Sequence, residues 1–395
     1  MPSRSKKDWR IVACLFFILF VGVADNQVLS PLLPAIRAEF GTASIDLGIL
    51  FTGYAFCAGL SALIWGPLSD AFGRKRGLLF GLLLFGSGSG ISSLAAGFSS
   101  LLAGRIVTGM GASMISLNSI SYAGDYFPYQ NRGWAMGWIF SSYFAALILG
   151  VPLGSWLGDK QSWNAVFAVM GGLALAALLG IWLFLPPLAG QRSPAPRGTA
   201  AKHLRQYAGF LKTQSSLGAL LSSFSASAGT MGFIAFLGVW LNDSFGIPGS
   251  KVGLVFLVSG AAALLASPLA GSIADRIGKR NQFIASNVSL ALLLIILPQT
   301  IWGPALFAAC GLISLAAAFR QGPMEAIFTE IVPSISRGSF VALKNSVSQL
   351  GIGLATLLSG ILFESGGYAA VCYLGAFANL LAASGMIFTY RQRNL

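Results

Sequence analysis

The sequence predicts an all-α polytopic membrane protein of twelve transmembrane helices, arranged as two six-helix bundles. Three observations carry that prediction. Only 9% of the 395 residues are charged while 55% are hydrophobic, whereas soluble domains carry about 25% charge to cover a water-facing surface. Apolar runs long enough to cross a bilayer recur a dozen times, and a bilayer removes the need for a polar exterior. The second half of the chain also repeats the first at a constant offset.

Taken in order, the spans of the first half read 9–33, 46–71, 77–97, 99–124, 131–157 and 163–186. Arg4, Lys6, Lys7 and Arg10 ahead of the first run resemble the charged start of a signal peptide, but the run continues to Leu33 with Asp25 inside it and further spans follow. It reads as an uncleaved first helix. A polar stretch, 187–214, with Pro194, Pro196 and five Lys or Arg, reads as a linker, because it offers neither an apolar period nor a span. The second half then reads 216–241, 250–274, 281–302, 303–328, 337–363 and 368–390. The predicted units are therefore 1–186, 187–214 and 215–395.

The formal charge of +13 is distributed by topology. With the amino terminus inside, the inner segments hold 19 of the 25 Lys and Arg, while the outer loops hold only Arg37, Lys160 and Lys251. That is a strong positive-inside asymmetry, and it makes both termini cytoplasmic. No single basic face exists, so nucleic acid is not an expected partner. Cys14, Cys57, Cys310 and Cys372 lie singly in apolar runs, which excludes a disulfide framework or zinc site. His203 is the only histidine and lies in the linker, and no phosphate-binding loop is present. No cofactor, metal or ATP-driven chemistry is expected.

The repeat is legible residue by residue. Gly66-Pro-Leu-Ser-Asp70-Ala-Phe-Gly73-Arg74-Lys75 matches Gly271-Ser-Ile-Ala-Asp275-Arg-Ile-Gly278-Lys279-Arg280, 205 residues on. The same shift pairs Phe40-Gly41 with Phe245-Gly246, Asp125 with Glu330, Pro128 with Pro333, and Arg132-Gly133 with Arg337-Gly338. Two like-oriented six-helix halves about a central axis are an architecture of many secondary transporters. Asp70 ends its helix near the level where helix 11 begins, and a carboxylate is stabilised by the partly positive start of a helix. Asp275 stands likewise against the start of helix 5. Such contacts would clamp the halves on the inner side. Gly150, Gly154 and Gly158 recur every four residues and form one small-residue face of helix 5, suited to close helix packing.

These motifs resemble those of the major facilitator superfamily over nearly the whole chain. The segment Gly66 to Lys75 is similar to the family's loop motif between helices 2 and 3, and Arg105-Ile-Val-Thr-Gly109 to its helix 4 motif. Gly150-Val-Pro152-Leu-Gly154 is similar to the helix 5 motif of the drug and sugar efflux branch, with Val151 intervening where that branch has Gly and Pro adjacent. The resemblance implies alternating access, a gating role for Gly66, Asp70, Gly73, Arg74, Gly271, Asp275 and Gly278, and a pivot or seal at Gly150, Pro152 and Gly154. It further implies proton-coupled export of a small solute. The expected setting is a bacterial inner (plasma) membrane, and the expected partners are a solute, protons and lipid, with the chain a monomer.

Charges inside spans are expensive and so are candidate functional groups. Asp25 lies eight residues before Leu33, about 12 Å deep, and Arg105 about 9 Å deep on helix 4. The two can meet. A proton bound when Arg105 leaves Asp25 and released when it returns would couple transport to a gradient, and a static ion pair is the other reading. Glu325 is a second candidate titrating group that can reach helix 11. Arg320, near the midplane, is a candidate site for an anionic or polar solute group, which leaves uptake of an organic anion as an alternative to export. Asn26, Gln27, Asn118, Thr230 and Gln321 lie on the same presumed cavity helices, either as ligands or as interhelical hydrogen bonds. Lys344 reads as snorkelling to the inner interface. Trp138, Phe140, Tyr143 and Phe144 read as core or lipid-facing. A membrane-embedded enzyme or receptor would require catalytic clusters or a large soluble domain, and neither is in the sequence.

Overall fold

The computed structural model describes residues 5–187, 207–332 and 337–390, without the side chains of residues 66–72, 129, 329, 337, 338, 388 and 390. The first helix, α1 (Lys6–Phe40), starts at Ser5, whose Oγ accepts from the Asp8 amide at 3.1 Å while Asp8 Oδ2 accepts from the Ser5 amide at 3.0 Å. The reciprocal cap satisfies two amides that a helix start leaves unpaired. α1 runs through Pro31 and Pro34 to Phe40 instead of ending at Leu33. Prolines are tolerated in a membrane helix because neighbouring groups satisfy the freed carbonyls. Asp25 is therefore fifteen residues from the helix end, about 22 Å, and deeper than hydropathy alone implies.

The first half continues with α2 (Ser44–Phe72), α3 (Arg74–Ser93), α4 (Phe98–Tyr126) and α6 (Trp163–Phe184). Between them α5 runs Tyr129–Ala145, widens into a π turn at Ala146–Gly150, and resumes as Val151–Lys160. Pro152 cannot donate an amide hydrogen, and a π turn is one way a helix accommodates that loss. The second half holds α7 (Gln214–Phe245), α8 (Gly249–Ile277), α9 (Lys279–Ile296) and α10 (Pro304–Ile331). A helical run Arg337–Tyr390 follows, which Gly367 (φ 65°, ψ −165°) divides into α11 and α12. Most of the expected linker, 188–206, lies outside the described residues, His203 included; residues 207–212 are helical.

Ten stretches are long and apolar enough to span a membrane, one of them the joined run over α11 and α12. The remaining span, α3, is diluted by its glycines and serines. The twelve helices form two six-helix bundles. Their helix bounds carry the repeat: α2 and α8 both begin and end 205 residues apart, as do the starts of α3 and α9 and the ends of α4 and α10. Gly41 and Gly246 close α1 and α7 at φ 61° and 63°, and Gly73 and Gly278 turn the chain at φ 92° and 86°. Side chains rarely adopt such backbone angles, so glycine is required at both copies.

Contacts between the halves gather on the face opposite the chain termini. Ser30 Oγ on α1 donates to the Ile234 carbonyl on α7 at 2.6 Å, and Arg37 pairs with Asp243. A Cβ at Gly238 would overlap the Ser30 carbonyl, so the two backbones are in contact there. Thr52 on α2 donates to the Gly353 carbonyl on α11 at 2.8 Å. On α5, Pro152 and Ser155 pack against Gly253 of α8.

Candidate functional site

Two buried guanidinium groups occupy the centre, one in each half, and their surroundings differ. In the first half Arg105 Nη1 donates to Asp25 Oδ2 at 2.7 Å, and neither side chain is exposed. The Arg105 guanidinium also lies 4.9 Å from the Tyr54 ring centre and 5.4 Å from that of Phe167, where the ring faces favour a cation. Asp25 Oδ1 and Arg105 Nε and Nη2 have no hydrogen-bond partner. Helix packing fixes the geometry. Gly150, Gly154 and Gly158 of α5 lie directly on Ala24, Val28 and Leu32 of α1, a small-residue stripe that seats Asp25 one position along from the contact.

In the second half Arg320, on α10, has no carboxylate partner among the described residues. Its Nη1 donates to Asn379 Oδ1 at 2.9 Å and to Asn287 Oδ1 at 3.3 Å, and its Nη2 to Thr230 Oγ1 at 2.8 Å. Each asparagine spends its Nδ2 on a carbonyl of its own helix, Asn287 on Phe283 and Asn379 on Gly375, both at 2.8 Å. That bond aims each Oδ1 at the arginine. Thr230 in turn donates to the Ala226 carbonyl at 2.8 Å, so its lone pairs are what it offers Arg320. The cage neutralises no charge. Arg320 Nε is unpartnered. Across the bundle interface, Tyr143 of α5 lies within electrostatic reach of Arg320 and against Gln27 of α1, whose Oε1 also has no partner.

The other candidates divide. Asn26 approaches the Tyr54 hydroxyl, next to the ion pair. Thr230 belongs to the cage. Asn118 is not brought to either centre: it is fully buried, its Nδ2 donates to Met114 at 2.8 Å, and its amide packs under Gly77 of α3. It fills an interhelical contact. Glu325 reaches α11, where Lys344 Nζ donates to its Oε1 at 2.7 Å, and Gln321 donates to the same oxygen at 3.3 Å. Lys344 therefore does not snorkel. It is 6% exposed, held by Glu325 and above the Phe328 ring, because a nearby carboxylate outweighs a longer reach to water. Exposure returns along α10 toward the terminal face, at Gln321 and at Glu325.

Of the gating candidates, Gly66 and Asp70 have side-chain positions outside the described residues. Arg74 pairs with Asp125 at 3.2 Å, and Lys279 with Glu330, the same pair 205 residues on. Asp275 is exposed and makes no hydrogen bond or ion pair among the described residues, and space is open around Gly271. The clamp expected of Asp275 against α5 is not made in this arrangement, because the halves meet on the other face. No cluster of three metal-binding side chains occurs among the described residues.

Asn287, Asn379 and Tyr143 escaped the sequence reading. The repeat held the signal for the asparagines: they stand where the first half has Leu82 and Ala174, so the polarity is new to the second half. Tyr143, read as core or lipid-facing, instead turns toward Arg320.

The family model described as Major Facilitator Superfamily matches residues 15–240 and 216–394. The chain is 29% identical over 385 residues to YwfA of Bacillus subtilis (strain 168), an uncharacterized MFS-type transporter, covering 95% of this chain and 90% of that one. It is 27% identical over 202 residues to the 4-hydroxybenzoate transporter PcaK of Acinetobacter baylyi, covering 51% of this chain and 44% of that one. Among solved structures, a bacterial homolog of the human lysosomal transporter Spinster, in an inward-facing and unoccupied conformation, matches with a TM-score of 0.73 at 18% identity, covering 98% and 95% of the two chains.

Proposed function

The chain belongs to the Major Facilitator Superfamily, and we propose that within it the protein is a proton-coupled carrier of a small organic anion, rocking between two states about Arg320. It is a transporter and not an enzyme. The observation that carries the reading is the neutral cage: a buried guanidinium surrounded by two amides and a hydroxyl retains its full charge. A charge buried in a membrane protein is costly unless it is paired, and a solute carboxylate supplies the missing pair with bidentate geometry. Gln27 and Tyr143 across the interface make the same ligand sensitive to both halves. PcaK, whose name specifies an aromatic carboxylate, is in keeping with that solute class.

Asp25 is the coupling carboxylate and Arg105 its partner in this reading, with Glu325 and Lys344 as a second exchangeable pair below the site. The rocking units are 1–186 and 215–395, joined by 187–214, in a monomer. With both termini cytoplasmic in a bacterial inner membrane, contacts on the far face and exposure below Arg320 make this arrangement open inward. We propose export as the direction, on the Gly150, Pro152 and Gly154 face that resembles the efflux branch. An inside-negative potential drives an anion out and a proton in, each worth about 2.3 kcal/mol per 100 mV.

Inside-out vesicles with an acidified lumen test the reading. Accumulation of radiolabelled 4-hydroxybenzoate or a related carboxylate is expected, abolished by Asp25→Asn and by Arg320→Ala. Accumulation only when the proton gradient is reversed would replace export with uptake symport. Binding of carboxylates to the purified protein that is indifferent to Arg320→Ala would remove the anion site.

A further inference from the structure

We infer that Asp159 and Glu364 form a pseudo-symmetric pair of latches that hold the far face of the cavity closed, and so act as positioning residues of the transport cycle. The inference rests on the rocking motion proposed above but not on the identity of the solute. Asp159, at the end of α5, accepts from the amide of Ser250 at the start of α8 at 2.7 Å. Glu364, at the end of α11, accepts from the amide of Ile45 at the start of α2 at 3.3 Å. The acceptors are 205 residues apart, and so are the donors. Each bond joins one half of the molecule to the other. The internal repeat has therefore placed the same contact twice, once in each direction across the interface.

The physics of the contact suits a release. The first amides of a helix have no intrahelical acceptor, and the helix start carries a partial positive charge that favours an anion. Ser250 and Ile45 are each the second residue of their helix. Both carboxylates are exposed, so water replaces the amide when the halves part and no buried charge is stranded. This is the carboxylate-on-helix-start device that the sequence suggested for Asp70 and Asp275 on the inner face, found instead on the far face with other residues. The remaining ion pair on that face, Arg37 with Asp243, has Asn242 and Ala38 at the repeat positions and so occurs once.

The two latches are unequal. α2 has its own first-turn acid, Asp46, which accepts from the Ala43 amide at 3.1 Å. The repeat position in α8 is Lys251, so Asp159 is the anion that α8 depends on. Asp159 is the stronger latch.

Spin labels at Ala96→Cys and Ile301→Cys, in the far-face loops of the two halves and themselves related by the repeat, report the opening in proteoliposomes of a variant with the four native cysteines replaced by Ala. Asp159→Ala is expected to raise the long-distance population about fivefold, Glu364→Ala about twofold, and the double variant about tenfold, with melting temperatures close to the parent. Asp159→Glu should restore the closed distribution, which a merely structural role would not predict. Gly238→Leu, a wedge against the Ser30 carbonyl, serves as the reference that forces the face apart. An unchanged distribution in the double variant while Gly238→Leu lengthens it overturns the latches and leaves rocking intact. A wedge that also leaves the distance unchanged overturns the rocking motion, and the latches with it.

Discussion

The two halves share a framework to the residue and differ at the centre. Helix ends, positive-φ glycines and the Arg74–Asp125 and Lys279–Glu330 pairs all recur at the same shift. The repeat position of Asp25 is Thr230, and that of Arg105 is Cys310. The first half thus holds a balanced ion pair, while the second holds an arginine from a different position, bound only by neutral groups. Duplicating a scaffold duplicates its turns and packing, because these depend on backbone geometry. It leaves each centre free to adopt its own charge, and a carrier needs the two to be unlike: one group to exchange a proton and one to receive the solute.

The largest effect expected from this contrast is on Arg105. Arg105→Ala leaves Asp25 fully buried without a partner, and breaking a buried pair in this way costs about 3–5 kcal/mol. The variant should lose thermal stability and all gradient-driven accumulation, as read by melting in detergent and by vesicle transport. Arg320→Ala should behave in the opposite sense: solute binding weakened about 100-fold, roughly the worth of a charge-assisted pair, with little loss of stability because no carboxylate is stranded. If both arginines prove equally stabilising, the contrast between the halves fails.

A graft sharpens the same comparison. Thr230→Asp places a carboxylate at the repeat position of Asp25, where the hydroxyl now accepts from Arg320 at 2.8 Å. The resident carboxylate should compete with the solute and weaken anion binding about tenfold or more in calorimetry, while the melting temperature holds or rises. Unchanged anion affinity in this variant would mean that the solute does not use Arg320.

Much of the fold was legible because a membrane helix declares itself by apolar length, and the repeat aligned without gaps. The depth of Asp25 was misjudged because Pro31 and Pro34 looked like a helix end, yet α1 keeps its course to Phe40. At the sites, span charges were legible as rarities, and the meeting of Asp25 with Arg105 followed from their depths. What a helix turns toward its neighbour was not legible. Asn118 and Asn379 are both single amides in apolar spans, and only packing assigns one to a contact with Gly77 and the other to Arg320. The same limit hid Tyr143, whose ring reads as lipid-facing until α5 is set against α1 and α10.

The smallest effects belong to the cage asparagines, and they test whether its geometry or only its polarity matters. Asn379 Oδ1 is 2.9 Å from Arg320 Nη1, while Asn287 Oδ1 is 3.3 Å from the same nitrogen. Both share one donor, so losing either leaves Arg320 with a substitute acceptor, and the loss should be a fraction of a full hydrogen bond, about 0.5–1.5 kcal/mol. Asn379→Ala is expected to weaken solute binding about fivefold and Asn287→Ala about twofold, measured by calorimetry on the same carboxylate. The double variant should exceed the product of the two, since only then does the guanidinium swing free on the Thr230 side. Simple additivity would mean that each asparagine merely lines the site, and that the arginine is aimed by α10 alone.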